Sequence, residues 1–343
     1  MKKVLIIGGC GFVGSNLCVF LKKKFFNVTS FDNLSRKGSI FNYKRLKQHK
    51  IKNYNLDITK YKDLSKLPKF ELIVDCCAEA SVEFSKKNID KVLKTNLLGT
   101  YNILRKCDKD FSSLIFLSSS RVYSMDALKK KIKKKNLERP FKIQNEFDIN
   151  FDTEGPKTFY GFSKLASEHL IKEYSYLNKM KYIINRCGVI AGPWQYGKID
   201  QGFVSLWVWR NLNKIPVKYL GYGGKGEQVR DILNISDLCN LIYLQIKKLN
   251  LVNNVTYSVG GGKKNATSLK NLTKICEKIS NNKMIIDNKI LMTSDYDIPY
   301  FVSSITNVKK IYKWIPKKNI INTVHEIYRW QKKNINNLKF LKN

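Results

Sequence analysis

The sequence predicts an α/β protein: a doubly wound parallel sheet, followed by a smaller C-terminal lobe. Two observations carry this. Apolar runs that suit buried strands alternate with helix-period segments through the first half of the chain. From about Gly188 the texture changes, with glycine, proline and aromatic residues clustered up to Gly226. Strand–helix alternation at this rhythm implies right-handed crossovers and parallel strands. Ligands on such sheets bind beyond the carboxyl ends of the strands, which makes the strand ends the residues to watch.

The first element organises the rest. Val4 to Ile7 is an unbroken apolar run, the pattern of a strand buried on both faces. Gly8, Gly11 and Gly14 follow at three-residue spacing, and Phe12, Val13, Leu17, Val19, Phe20 and Leu21 open a helical period. A strand that turns through glycines into a helix aims that helix's unpaired N–H groups and positive dipole end at one spot, which suits a pyrophosphate. A second strand-like stretch, Val28–Phe31, ends at Asp32, with Asn33 beside it. An acidic residue at that distance can hold the ribose hydroxyls of a dinucleotide, so the pattern points to NAD. Arg36 and Lys37 nearby keep NADP as a lesser alternative.

The next elements continue the alternation. A polar loop, FDNLSRKGS, leads to a helix near 41–48, then a third strand at 51–55 that runs out at Asp57-Ile58. ELIVDCC (71–77) is a fourth strand, residues 88–107 form an apolar-periodic helix containing Asn96, and LIFLSSS (114–120) is a fifth strand. Residues 125–157, with the charge run KKKIKKK at 129–135, break the rhythm and are expected as an inserted surface loop without chemistry of its own. A strong helix follows at 159–177 and a sixth strand at 181–187, which closes a first domain over 1–187. Residues 188–343 are expected to form mainly the second lobe, the chain partly interwoven. It should hold helices at 203–213, 235–249, 269–280 and 320–333 and a short strand at 229–233.

Composition narrows the class. The 343 residues are 43% hydrophobic, normal for a globular chain, and no apolar run reaches membrane-spanning length. A strand entered by residue 4 leaves no room for a signal peptide. The eight cysteines show no CxxC pair and no metal-ligand spacing, and most fall in apolar segments, so a reduced, cytoplasmic protein without a metal is expected. The formal net charge of +36 raises nucleic acid as a partner. Lysine, asparagine and isoleucine are abundant together along the whole chain, and no aromatic stacking pattern accompanies the charge. Nucleic-acid binding is therefore not expected as the main role, since charge alone gives only sequence-independent attraction.

One pair of residues could do chemistry on a bound dinucleotide. Tyr160 and Lys164 are four apart on the 159–177 helix and so share a face. An ammonium beside a phenol favours the phenolate, and a phenol so tuned can take a proton from a sugar hydroxyl while a nicotinamide takes the hydride. Ser119, at the carboxyl end of the fifth strand, could hydrogen-bond the same hydroxyl.

With these residues assembled, the sequence resembles the extended short-chain dehydrogenase/reductase family that modifies nucleotide sugars, over nearly its whole length. GGCGFVG matches the family's GxxGxxG turn, which carries Gly8, Gly11, Phe12, Val13 and Gly14 over as cofactor-binding positions, and the sheet as a Rossmann-type one. Asp57-Ile58 match the pair that reads adenine, Ala78 ends the fourth-strand motif, and Asn96 lies in the helix motif TNLLGT. SSSRVY matches a Ser/Thr-x-x-Val-Tyr motif whose first residue, Ser119, is catalytic, and YGFSK supplies Tyr160 and Lys164. FDNLSRKGS, GPWQYGKIDQGF and GYGGKGEQVRDIL look most like the CDP-paratose (tyvelose) 2-epimerases within the family. The resemblance implies that Ser119, Ser120, Arg121, Gln201 and Arg230 bind substrate, Arg230 through the nucleotide's phosphates. Its competing role is a rim salt bridge with Asp231.

Two departures stand out. Asp75-Cys-Cys-Ala78 replaces the usual His-x-Ala-Ala, and Ser124 replaces the glycine after Val-Tyr. One absence also discriminates: the family's 4,6-dehydratases carry Asp-Glu after the catalytic Thr, where this chain has Ser120 and Arg121. The resemblance thus implies an NAD-dependent nucleotide-sugar epimerase that oxidises a ring hydroxyl transiently and returns the hydride to the opposite face. A homodimer through helices 88–107 and 158–178 is also implied. The rival readings are a UDP-sugar 4-epimerase or decarboxylase, and a basic RNA-binding member of the fold that has lost turnover.

Overall fold

The computed structural model describes residues 2–132, 145–197, 201–287, 289 and 292–341. The chain divides into two compact units. The first comprises Met1–Val122, Thr158–Arg186 and Leu238–Tyr257, and the second Tyr123–Lys157, Cys187–Asp237 and Ser258–Asn343.

A seven-stranded sheet forms the frame of the first unit. Its strands are β1 (Lys3–Ile7), β2 (Asn27–Phe31), β3 (Lys52–Tyr54), β4 (Leu72–Asp75), β5 (Ser113–Ser119), β6 (Tyr182–Cys187) and β9 (Val255–Val259), in the order β3-β2-β1-β4-β5-β6-β9. The pairs from β3 through β5 run parallel. Their register sets Ile7 level with Phe31 on one side and Asp75 on the other, and Asp75 level with Phe116. Gly8, Asp32 and Cys76, each the next residue, therefore emerge side by side at one edge. Leu5, Ile7, Ile73, Leu114 and Phe116 are buried in the core that holds this edge in place.

Helices α1 (Phe12–Lys23), α2 (Ser39–Gln48) and α3 (Tyr61–Ser65) connect the first strands, and α4 (Val82–Lys87) follows β4. The helix expected at 88–107 is not uniform. It runs as α5 (Ile89–Val92), a π-helical stretch (Leu93–Leu98) and α6 (Gly99–Asp110). The wider turn leaves the Asn96 carbonyl to hydroxyl donors: Thr100 Oγ1 lies at 2.6 Å and Ser167 Oγ at 3.2 Å. Gly99 begins α6 where a Cβ would stand 3.3 Å from the Ile58 side chain. The long helix α8 (Phe159–Asn178) starts at Thr158, whose Oγ1 accepts the Gly161 N–H at 3.0 Å.

The second unit has a small mixed sheet around β8 (Val229–Asn234). Strands β7 (Val189–Ala191) and β11 (Tyr300–Phe301) pair with it in parallel and β10 (Ala266–Ser268) antiparallel. Its core gathers Trp207 and Val208 of α9 (Phe203–Leu212), Leu272 of α11 (Leu269–Ser280), and Val324 and Ile327 of α12 (Ile320–Lys333). Helix α10 (Ile235–Lys248) begins at the end of the second unit's sheet and continues into the first unit.

The stretch 125–157, read from sequence as an inserted loop of the first domain, groups with this second unit. It begins with α7 (Met125–Lys131), and Phe147, 2% exposed, stacks on Phe301 and packs edge-on to Phe151. Backbone bonds tie Phe147 to Val302 and Ser304. Residues 133–135 of the charge run lie outside the described residues.

Candidate active site

Beyond the aligned strand ends of the first unit lies a cavity of about 540 Å³. Gly8 and Gly11 form its floor, Asp32 and Asn33 one wall, and Asp57, Ile58 and Ala78 also face it. The glycine turn is shaped by close approach. Gly8 adopts φ 70°, and a Cβ on Gly14 would stand 2.1 Å from the Gly8 carbonyl oxygen. Gly11 caps α1 without any side-chain hydrogen bond to the helix, so the N–H groups of the first turn, at Phe12 and Val13, are left to a ligand.

The carboxylates at this edge differ in charge state tendency. Burial pushes the Asp32 pKa up, against hydrogen bonds from the N–H groups of Leu34 (2.8 Å) and Cys10 (3.0 Å) and the charge of Arg36. At Asp57 burial also raises the pKa, but bonds from Thr59 N–H and Oγ1, both at 2.9 Å, and from Asn33 outweigh it and hold the carboxyl low. Burial keeps the thiols of Cys76 and Cys77 far above the ordinary thiol range, so they line the cavity as neutral groups rather than as nucleophiles. Arg36, the residue that kept NADP open, is engaged: its Nη2 donates to Glu79 Oε2 at 3.0 Å and to Ala78 O at 3.3 Å.

Asn96 stands behind this wall. It is 2% exposed; its Oδ1 accepts the Glu79 N–H at 2.8 Å, and its Nδ2 donates to Glu79 O (3.3 Å) and Ser163 Oγ (2.9 Å). Ser163 in turn donates to the Tyr160 carbonyl at 2.8 Å. The loop after β4 and the first turn of α8 are thus joined through one amide.

Lys164, 2% exposed, donates to Cys77 O at 3.3 Å and lies 4.2 Å from the centre of the Phe116 ring. The Asp75 carboxyl, buried at the end of β4, is raised by burial and drawn back by the charge of Lys164. Tyr160, one helical turn earlier, is half-buried. Ser119 ends β5, 8% exposed, and accepts the Arg121 N–H at 3.2 Å. Ser120 and Arg121 form the short 3-10 turn beyond it, both half-buried. Helix α8 comes close to this turn only because residue 161 is glycine: a Cβ there would meet the Arg121 carbonyl oxygen at 2.1 Å.

Sequence reasoning missed a buried clamp behind these residues. Ser118 Oγ donates to Glu168 Oε1 at 2.5 Å, and Arg186 reaches Glu168 through Nε (3.1 Å) and Nη2 (2.8 Å). The available signal was Glu168 itself, a carboxylate one turn beyond Lys164 on a helix face otherwise destined for the core.

Two expected substrate residues belong to the second unit. Gln201 is half-buried just before Gly202, whose φ of 75° opens α9. Arg230 does not pair with Asp231. Successive residues of a strand face opposite sides, and the Arg230 guanidinium bonds Asp297 Oδ1 (3.3 Å), Ile298 O (2.6 Å) and Val229 O (2.8 Å). Asp231 points into the interior, fully buried, and accepts the Gly262 N–H at 3.1 Å. Among the described residues no group of three or more His, Cys, Asp or Glu could hold a metal, and no helix is long and apolar enough to cross a membrane.

Known proteins are similar to this chain in sequence and in fold. The chain is 27% identical to the CDP-paratose 2-epimerase of Salmonella typhi over 96% of its own length and 98% of that protein's. It is also 27% identical to the UDP-glucuronate 4-epimerase of Thermodesulfobacterium geofontis, over the full length of both. In fold it is similar to an epimerase from Methanothermobacter thermautotrophicus, with a TM-score of 0.85 at 20% identity over 99% of this chain and 94% of that one. A UDP-glucose 4-epimerase of Thermus thermophilus, solved with NAD, gives 0.81 at 20% identity over 96% and 99%. These likenesses confirm the Rossmann-type doubly wound fold. The shared sequence pattern of one family extends over residues 4–260, from β1 through β9, and on that match the chain belongs to the NAD-dependent epimerase/dehydratase family.

Proposed function

We propose that this chain is an NAD-dependent nucleotide-sugar epimerase of the CDP-paratose 2-epimerase type. The observation that carries the reaction type is the turn after β5: Ser119 is followed by Ser120 and Arg121, where elimination of water would need a general acid and a general base. The full-length similarity to a CDP-paratose 2-epimerase supports the sugar. NAD is the family's cofactor, and the uncapped α1, the glycine floor and the Asp32 wall fit a dinucleotide.

In this reading the glycine turn and the first-turn N–H groups of α1 hold the pyrophosphate, Asp32 the adenosine ribose, and Asp57 and Ile58 the adenine. NAD supplies the acceptance and return of hydride. Tyr160 takes the proton of the sugar hydroxyl and gives it back, and Ser119 positions that hydroxyl. Lys164 carries its charge in a buried setting between Cys77 O and the Phe116 ring, where an ammonium favours a nearby phenolate. Ser120, Arg121, Gln201 and Arg230 bind the nucleotide sugar, for which Arg230 must exchange Asp297 for phosphate oxygens. A dimer of this chain is part of the same proposal: Leu98 and Tyr101, and Phe159 and Phe162 on α8, leave 41–47% of their surface exposed.

The test is incubation with CDP-paratose, and with UDP-glucose and UDP-glucuronate as rivals, in deuterated water. An epimerase gives a product of unchanged mass with little deuterium at the inverted carbon. A product lighter by one water would restore a dehydratase, and loss of carbon dioxide from UDP-glucuronate a decarboxylase. The full-length likeness to a UDP-glucuronate 4-epimerase makes inversion of that sugar the second reading.

A further inference from the structure

The cavity of the first unit has a feature that none of the expected site residues explains. Arg36 lies in the loop after β2 and Glu79 in the loop after β4, and the two side chains meet at 3.0 Å. In the sheet, β2 and β4 are the neighbours on either side of β1. A link between the loops that follow them therefore passes over the carboxyl end of β1, where Gly8 and Gly11 form the floor of the cavity. All four residues line that same cavity.

The two ends of the link are unequal. Glu79 has both its backbone N–H and its carbonyl held by the buried Asn96 amide, which is fixed in turn to Ser163 of α8. Its side chain is 15% exposed, against 34% for Arg36. Lys91 Nζ, at 3.9 Å, adds a second positive charge beside the same carboxylate. The more deeply held carboxylate thus decides where the guanidinium of the more exposed loop stands, and both side chains line the cavity.

We propose that Glu79 is a positioning residue for cofactor retention: through its ion pair it holds Arg36 across the cavity, so that a bound dinucleotide leaves only when the pair opens. The proposal rests on the NAD reading of this cavity. It answers a need of the proposed reaction, in which a reduced cofactor lost in mid-cycle leaves the enzyme oxidised sugar and no hydride to return. The same carboxylate keeps Arg36 occupied, and the run of hydrogen bonds from Glu79 through Asn96 and Ser163 ends at the Tyr160 carbonyl. The strap and the helix of the proposed chemistry therefore share one support.

The experiment follows exchange of bound NAD for isotopically labelled NAD in the purified full-length protein, by rapid gel filtration. Glu79→Gln and Arg36→Ala should each exchange about tenfold faster than the parent, as expected for loss of one charge-assisted, partly buried bond. The double variant should exchange no faster than Arg36→Ala, which already removes the whole link, the bond to Ala78 O included. Added salt should speed exchange in the parent and have little effect in the variants, a difference that a merely structural role would not produce. Arg36 sits on an exposed loop, so Arg36→Ala decides the matter even if Glu79→Gln folds poorly. Unchanged exchange in Arg36→Ala, or rates that multiply in the double variant, would overturn the proposal. A parent that releases no NAD on denaturation and takes up no labelled NAD would overturn it together with the cofactor reading, and is distinguishable from parent and variants that exchange at one rate.

Discussion

Replacing Arg186 by leucine tests what fixes β5 against α8. Glu168 is fully buried, and its carboxylate has three side-chain donors: Ser118 Oγ, and Nε and Nη2 of Arg186. Arg186→Leu keeps the bulk of the side chain but leaves a buried carboxylate with a single hydroxyl partner. Breaking a buried pair from one side costs about 3–5 kcal/mol, because the remaining charge is uncompensated. For a unit of this size, each kcal/mol moves the melting temperature by roughly 2–4 °C, so a fall of about 6–20 °C is expected. The double variant Arg186→Leu/Glu168→Leu removes both charges and should recover most of that loss, leaving mainly the unpaired Ser118 hydroxyl, at about 1–3 kcal/mol. Thermal unfolding of the parent, both single variants and the double variant at pH 7, followed by circular dichroism, completes the cycle. If Arg186→Leu melts within about 2 °C of the parent, or the double variant melts lower than it, then this pair does not act as a compensated buried charge and the reasoning fails.

Three further outcomes are expected. Gly14→Ala should abolish NAD retention, measured as cofactor released on denaturation, because its Cβ would stand 2.1 Å from the Gly8 carbonyl oxygen, which cannot move without reshaping the turn. Tyr160→Phe should leave the fold and NAD binding intact while turnover falls about a hundredfold to ten-thousandfold, the usual cost of losing a positioned proton-transfer group; a near-parental rate would remove Tyr160 from the mechanism. Burial lifts Asp231 from 3.8 to about 6, so between those pH values the folded chain binds a proton that the unfolded chain releases, and the stability this residue contributes, fully present below about pH 4, is lost as pH rises through 6. The melting difference between Asp231→Asn and the parent should then move in the variant's favour by up to about 3 kcal/mol from pH 4 to 7, and a difference that stays constant with pH would refute it.

The strands at the centre of the large sheet were legible because nothing interrupts them: Val4–Ile7 and the IVD run of β4 are buried end to end. The glycine turn and the acidic residue after β2 were legible for a related reason, since backbone approach restricts residue type and leaves a mark in sequence. Strands of two or three residues, such as β10 and β11, carry no period of their own and exist through pairing with β8. The π-helical turn was hidden too, since one of the two hydroxyls on its Asn96 carbonyl comes from Ser167, 71 positions away. Polar residues in the interior are the hardest class. Glu168, Arg186 and Asn96 each look solvent-facing until their partners are known, and those partners are 17 to 67 positions away. Arg230 shows the same limit: its ionic partner, Asp297, is 67 residues on, while its neighbour Asp231 lies on the other side of the strand.

The path of the chain between the units constrains how such a protein can change by recombination. The first unit is assembled from three separate stretches, and its third, Leu238–Tyr257, supplies Gln245, whose amide exchanges two hydrogen bonds with Asn185 in the interior. A gene segment ending after β6 would encode the glycine turn, Ser119, Tyr160 and Lys164, yet leave Asn185 facing a void and the sheet without β9. The cofactor-binding half therefore cannot be inherited as one contiguous cassette. New specificities on this scaffold have to come from replacing the intervening stretches in place, at Tyr123–Lys157, Cys187–Asp237 and beyond Ser258, with both flanking joints preserved.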